Sequence, residues 1–209
     1  MELKHILPSD IEKESFRIIK QELDIMGKSI SGDLEPTVIR AIHTTADFDY
    51  ADTLVFSDNV IDKAKAAIRN GAHIVTDTNM TLAGINKKTL SRYGGEVHCF
   101  MADEDVSMMA RQMQVTRAVV SMDKALKIDA PLIFAIGNAP TALIRLRELI
   151  DEKKLRPELI IGVPVGFVNV VEAKELILET DIPYIINRGR KGGSTVAAAI
   201  CNSILYNMT

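Results

Sequence analysis

Residues 39–50, IRAIHTTADFDY, bring an arginine, a histidine, hydroxyl groups and two aspartates into one short segment. If this segment is helical, Arg40, His43, Thr44 and Asp47 share one face, because residues three and four apart are neighbours on a helix. Imidazole titrates near neutral pH and therefore suits proton transfer. His43 is either an acid–base group of an active site or an ordinary polar residue near a helix end, and the segment alone leaves both interpretations open.

A second group of reactive side chains lies in NRGRKGGST (187–195), where Arg188, Arg190 and Lys191 precede two glycines and a predicted helix. The spacing is not that of a phosphate-binding P-loop, and no GxGxxG follows an early strand as dinucleotide binding would require. Free backbone N–H groups beside cations suit an anion. A tight glycine turn with solvated charges explains the same residues, so both interpretations stay open.

Polar loops also follow three other predicted strands. They are TDTNMTLAGI (76–85), GNAPTAL (137–143) and GVPVGFVNVVEAKE (162–175). Asp77 is interpreted first as a capping aspartate and only second as a catalytic one. Asn138 and Thr141 flank a proline before a predicted helix, where capping is again the simpler interpretation. These loops predict an anionic-ligand site, because ligands of such sheets bind beyond the carboxyl ends of the strands.

The elements that position these loops alternate along the chain. Short apolar runs at 73–76, 96–101, 131–136, 158–163 and 183–187 predict strands, and amphipathic stretches at about 104–127, 140–153, 169–180 and 194–207 predict helices. Strands that alternate with helices favour a parallel sheet covered on both faces. We predict one α/β domain, residues 1–209, with a mostly parallel five-stranded sheet and a helical N-terminal portion over residues 1–70 packed on it.

Composition narrows the class of protein further. The net charge of −3 argues against a nucleic-acid partner. No apolar run reaches the roughly 18 residues of a membrane span, and the charged start of the chain is not a signal peptide. Cys99 and Cys201 are isolated, which indicates buried thiols in a reducing compartment and no zinc site. Met108, Met109 and Met113 are predicted to fill the core. We therefore expect a cytoplasmic protein without membrane or metal.

Several of these segments, in this order, resemble the precorrin-8X methylmutase family of cobalamin biosynthesis, also called cobalt-precorrin-8 methylmutases. The resemblance covers nearly the whole chain. It is carried by IEKESFRII, RAIH, VFSDNVIDKAKAAIRNGAHIVTDTNM, QVTRAVV, IGNAPTAL, IGVPVGFVNVVEAKE and GRKGGST. The succession of IGNAPTAL, GVPVGFV and GRKGGS is a specific combination.

The resemblance implies an isomerase that moves a methyl group from C-11 to C-12 of a modified tetrapyrrole, precorrin-8 or its cobalt form, to give hydrogenobyrinic or cobyrinic acid. It implies no methyl donor and no cofactor. Through RAIH, it gives His43 the role of general acid. Family position and chemistry make Ser15, Arg40, Arg117, Arg188 and Arg190 candidates for binding the substrate carboxylates, and Met80 a candidate for contact with the macrocycle. The family also implies a homodimer.

Two alternatives remain beside this expectation. A corrinoid carrier of the same pathway would bind similar ligands without chemistry, and it would have no need for a positioned histidine. An S-adenosylmethionine-dependent methyltransferase is disfavoured because the early glycine-rich loop is missing. Added S-adenosylmethionine should then have no effect on turnover.

Overall fold

The computed structural model describes residues 7–208, so the beginning of the predicted N-terminal portion, residues 1–6, lies outside the described residues. The strands are β1 (Leu54–Phe56), β2 (His73–Thr76), β3 (Val97–His98), β4 (Leu132–Ile136), β5 (Leu159–Gly162) and β6 (Tyr184–Asn187). After a 3-10 turn at Pro8–Asp10, the helices are α1 (Ile11–Ile25), α2 (Glu35–Thr45), α3 (Tyr50–Thr53), α4 (Val60–Arg69), α5 (Asn79–Gly84), α6 (Lys87–Ser91), α7 (Glu104–Met113), α8 (Arg117–Ala125), α9 (Pro140–Asp151), α10 (Val170–Leu178) and α11 (Ser194–Tyr206).

The sheet has the strand order β1-β6-β5-β4-β2-β3, and every neighbouring pair is parallel except β1 with β6. The prediction of a mostly parallel α/β sheet is confirmed, but the predicted number of five strands is wrong. The additional strand, β1, lies inside the portion predicted to be helical. It is only three residues long and takes its hydrogen bonds from the last strand, with Leu54 opposite Asn187. A local pattern cannot reveal such a distant partner.

The core consists of two apolar layers, one on each face of the sheet. In β4, Ile133 and Ala135 face one layer while Phe134 and Ile136 face the other, as expected from the two-residue period of a strand. Helices α1, α2, α4 and α11 cover the first layer, and α8, α9 and α10 cover the second. Both faces are therefore covered, as predicted. Within residues 7–208, no helix combines the length and the apolar character that crossing a bilayer requires.

Helix α2 carries His43 in its last turn and packs against α11. Pro36 lies in the first turn of α2, where its missing N–H costs little, as predicted. The helix ends at Thr45 because Ala46 adopts a left-handed conformation with φ 54°. Asp47 therefore lies beyond the helix. The prediction of one shared helix face is correct for Arg40, His43 and Thr44 and wrong for Asp47.

The stretch predicted as one helix over 104–127 is two helices, α7 and α8. Gln114 is left-handed, with φ 55°, and the Thr116 side chain accepts the Val119 N–H to start α8. Met108, Met109 and Met113 are about half exposed on α7. Their prediction as core residues is wrong, because α7 buries only Val106 and Ala110 and turns the methionine face outward. The stretch 76–85, read as a loop, contains the short helix α5.

Candidate functional site

The order in which strands are added to the sheet reverses at β2: β3 lies on one side of β2, while the parallel strands β4, β5 and β6 follow on the other. In open α/β sheets, the crevice beyond the carboxyl ends of two such strands is the usual ligand site. Here the loops that meet at this edge begin at Asp77 after β2 and at Gly137 after β4.

Asp77 fills this crevice with a carboxylate of the protein itself. Its oxygens accept the backbone N–H groups of Gly137 (2.9 Å), Asn138 (2.7 Å) and Ala139 (2.6 Å), and the side chain is fully buried. Burial raises the pKa of the Asp77 carboxyl, although the three N–H donors act in the opposite direction. Asp77 therefore has a structural role, but it holds the loop residues 137–139 that precede α9, and not the turn that follows it, as first interpreted.

The backbone of the segment 187–195 approaches the loop after β5 so closely that a glycine is required. The Gly193 N–H donates to the Val163 carbonyl (2.9 Å), and a Cβ on Gly192 would lie 2.0 Å from that same oxygen. Gly192 also has φ 156°, a conformation that favours glycine. The tight-turn interpretation thus accounts for Gly192, while the charged residues of the segment need a separate account.

Lys191 connects this segment to the turn after α2. Its ammonium donates to Asp47 and to Asp49, at 2.6 Å each. These two hydrogen-bonded carboxylates raise the pKa of Lys191 above its usual value, and Lys191 lowers the pKa of the Asp47 carboxyl. The charge of Lys191 is therefore already matched within the protein. Asp47, predicted to share a helix face with His43, is engaged by Lys191.

The two arginines of the segment differ in their partners. Arg188 lies 3.4 Å from the Glu175 carboxylate. Arg190 is exposed with its guanidinium 5.5 Å from the centre of the Phe167 ring, and it has no carboxylate partner among residues 7–208. Arg190 is thus the cation of this segment that remains open to an external carboxylate.

His43 lies exposed in the last turn of α2, with its ring edge-on to Phe16 at 5.3 Å between centroids. Within the described part of the chain, its imidazole makes no hydrogen bond. The neighbouring Arg40 guanidinium lies 5.2 Å from the Phe16 ring and 4.8 Å from the Tyr206 ring, and it donates to Glu12 at 2.9 Å. The arrangement holds Arg40 in place and leaves the His43 nitrogens accessible to a ligand.

The other predicted binding residues lie on three separate helices. Ser15 precedes Phe16 on α1 and is half-buried. Met80 is exposed in the first turn of α5, which is joined to the start of α11 by a hydrogen bond between the hydroxyls of Thr78 and Ser194 (2.8 Å). Arg117 begins α8 and donates to the Met101 carbonyl at 3.1 Å.

Direct contacts within residues 7–208 join only some of the predicted residues. Arg40 and His43 share contact with Phe16, and Lys191 links their helix to the segment of Arg188 and Arg190. Neither Arg117 nor Met80 hydrogen-bonds to His43 among residues 7–208.

Sequence reasoning missed one charged residue of this region, Lys174. It lies on the buried face of α10 with Val170, Ala173 and Ile177. One signal in the sequence could have identified it: Lys174 lies at helical spacing within an apolar stripe. Such a position is unusual, because charged residues are rarely fully buried without a partner.

His73 and His98 form a separate pair on the sheet. His73 and His98, on the adjacent strands β2 and β3, hydrogen-bond through Nδ1 and Nε2 at 2.8 Å, as a satisfied pair would. Glu96 adds a carboxylate 4.0 Å from His98, so these three side chains could supply metal ligands within 4.8 Å of one another. The hydrogen bond between the rings explains their proximity without an ion.

His43 is exposed, Arg190 has no carboxylate partner among residues 7–208, and the Lys191 ion pairs tie the turn after the histidine helix to the arginine segment, an arrangement that suits an enzyme site for an anionic ligand. The family model of precorrin-8X methylmutase matches residues 10–207. The chain is 42% identical over 199 residues to the cobalt-precorrin-8 methylmutase of Priestia megaterium, covering 95% of this chain and 88% of the relative. It is 36% identical over 196 residues to the precorrin-8X methylmutase of Pseudomonas aeruginosa, covering 93% of both. The solved precorrin-8X methylmutase of Thermus thermophilus superposes with a TM-score of 0.84 at 39% identity, over 95% of this chain and 97% of that one.

The chain belongs to the precorrin-8X methylmutase family. It is accordingly an isomerase of cobalamin biosynthesis, an intramolecular methyl transferase.

Proposed function

We propose that this protein moves a methyl group from C-11 to C-12 of precorrin-8 or cobalt-precorrin-8, with His43 as general acid. The observation that carries the proposal is the exposed His43 imidazole beside Arg40, on a helix whose following turn is tied by Lys191 to the arginine segment. Membership in the family supplies the reaction class. The product is hydrogenobyrinic acid or, with cobalt, cobyrinic acid.

The protein assists this rearrangement by supplying a proton. A methyl group migrates more readily when the conjugated ring is electron-poor at the carbon that receives it. Protonation of a ring nitrogen, or a strong hydrogen bond to it, has this effect, and an imidazole can lend that proton and take it back. No methyl donor, nucleotide or redox cofactor enters, because the group moves within one molecule.

The peripheral carboxylates of the substrate are the proposed ligands of the arginines. Arg190 suits this role best because it has no carboxylate partner among the described residues, while Arg40, Arg117 and Arg188 are the other candidates, with Ser15 as a hydroxyl donor. Guanidinium–carboxylate pairs fix orientation as well as adding energy. Met80 and the exposed Phe167 provide apolar surface for the macrocycle.

We also propose a homodimer in the cytoplasm. Phe167 and Val168 are exposed by 82% and 77%, and the methionine face of α7 is half exposed, which is apolar surface that a second subunit could cover. The two free cysteines, of which Cys201 is buried, suit a reducing compartment.

The test is to mix the purified protein with precorrin-8 and, separately, with its cobalt form, and to follow the visible spectrum. Both substrate forms are needed because relatives of both names are similar to this chain. Conversion without added S-adenosylmethionine supports the proposal. Binding of product without conversion of either substrate would identify a corrinoid carrier instead.

A further inference from the structure

Lys174 is a buried lysine whose ammonium is directed to the backbone on both sides of Arg190. Its Nζ donates to the carbonyls of Gly189 (2.7 Å) and Lys191 (2.9 Å). The carbonyl of Arg190 itself accepts the Gly166 N–H at 3.2 Å. The backbone of the three residues 189–191 is therefore held from α10 and from the loop after β5.

The charge of Lys174 has no carboxylate partner among residues 7–208. The side chain is fully buried, and burial lowers its pKa to about 8. The carboxylates that bind the neighbouring segment are engaged by other cations, since Glu175 lies beside Arg188, and Asp47 and Asp49 bind Lys191. A buried cation without a counter-ion is unfavourable. We therefore expect a functional role to explain why a lysine occupies this position.

We infer that Lys174 is a positioning residue for substrate binding: it fixes the backbone on either side of Arg190 and supplies a buried positive charge that the substrate carboxylates offset. This inference rests on the proposed function, because it requires a polyanionic ligand at Arg190. Lys174 acts through the arginine and the local potential and does not itself contact the ligand.

The charge of Lys174 should make the affinity for an anionic ligand depend on pH. An anionic ligand favours the protonated form of Lys174, so affinity should decrease as pH rises through about 8, where the ammonium loses its proton. The other charged groups around the segment are Arg188, Arg190 and Lys191 with their carboxylates. Carboxylates and guanidinium groups keep their charge between pH 7 and 9, and the pKa of Lys191 is raised above this range.

The experiment titrates the reaction product into wild type and variants at pH 7 and pH 9, with circular dichroism to check folding. Lys174→Met removes both the charge and the hydrogen bonds at similar volume, whereas Lys174→Gln keeps a donor without the charge. Lys154→Met is the matched control, because Lys154 is exposed and pairs with Glu152. Arg190→Ala and the double variant Lys174→Met/Arg190→Ala complete a mutant cycle.

We expect Lys174→Met to lower product affinity about 10-fold or more at pH 7, and Arg190→Ala to add little in that background. Lys174→Gln should recover part of the loss, which keeps the test valid if the Met variant does not fold. Wild-type affinity should fall between pH 7 and 9, while both Lys174 variants should show a flat profile and Lys154→Met should follow wild type.

Wild-type affinity in the Lys174 variants, additive losses in the mutant cycle, or an equal pH dependence with and without Lys174 would each overturn the inference. In those cases wild type still converts substrate, so the proposed function stands. If wild type neither converts substrate nor binds product, the proposed function and the inference fall together.

Discussion

At the scale of single residues, the proposed reaction divides its work between a proton donor and carboxylate partners. His43 is exposed with no hydrogen bond in residues 7–208, so a ring nitrogen of the substrate could reach its imidazole. The arginines differ because Arg40 and Arg188 already face carboxylates, while Arg190 has no carboxylate partner among residues 7–208. The expected loss of turnover or affinity on substitution therefore differs from residue to residue.

Replacing His43 by alanine should abolish most turnover while the substrate still binds. Loss of a general acid typically costs about 10²–10⁴-fold in rate. Single-turnover kinetics and a separate binding titration measure the two effects. His73→Ala is the control, because His73 lies with His98 away from the site and should leave turnover unchanged. Near-normal turnover in His43→Ala would remove this residue from the mechanism.

Arg190→Ala should weaken the binding of substrate and product together, by about 1.5–3 kcal/mol for a charge-assisted hydrogen bond. Arg190→Lys keeps the charge but loses the planar fork, so it should recover only part of the affinity. Arg188→Ala should cost less, because Arg188 is already beside Glu175.

Product titrations at two salt concentrations would separate a local clamp from diffuse attraction. Arg156→Ala is the control, since Arg156 is exposed and pairs with Asp181. Wild-type affinity in both Arg188→Ala and Arg190→Ala would leave only the tight glycine turn as the role of this segment.

At the scale of elements, the site depends on how loops from separate strands fit together. The loop after β4 is fixed by Asp77 from β2, and the segment after β6 rests on the carbonyl of Val163 after β5. The sequence predicted that these loops would meet, because parallel strands end at one edge. It could not predict which donor meets which acceptor, since these contacts join residues distant in the chain.

Gly192→Ala tests this fit. A Cβ there would lie 2.0 Å from the Val163 oxygen at φ 156°, so the free energy of unfolding should fall by at least about 1–3 kcal/mol. Chemical denaturation measures the change. Gly32→Ala is the matched control, because no atom lies within 4 Å of its added Cβ and its φ is unstrained. Equal stability of Gly192→Ala and wild type would show that the segment approaches β5 less closely.

At the scale of the whole molecule, the alternation of apolar runs and amphipathic stretches was sufficient to predict the α/β sheet with helices on both faces. It missed β1, whose three residues pair with the last strand, and the break between α7 and α8 at Gln114. It also placed the α7 methionines in the core, because periodicity marks an apolar face without saying what covers it. Lys174 escapes prediction from the sequence because lysines are almost never fully buried without a partner, so a lysine is expected at the surface.

We expect two copies of the chain to form a dimer through apolar surface that a single subunit leaves exposed. The protein should sediment at micromolar concentration with twice the 23.0 kDa mass of the chain. Exposed Phe167, Val168 and the α7 methionines give the physical reason, because apolar patches on a lone subunit are costly in water. A clean monomer with full activity would show that one chain completes the pocket alone.

The most direct test of the central claim is to give wild type and His43→Ala the same precorrin-8 and cobalt-precorrin-8 samples, without S-adenosylmethionine. The visible spectrum is followed over time, and the position of the methyl group in the product is determined by NMR. We expect wild type to convert one or both substrates with the methyl group at C-12, and His43→Ala to bind them but scarcely convert them. Equal conversion by both proteins, or binding without conversion by wild type, would contradict it.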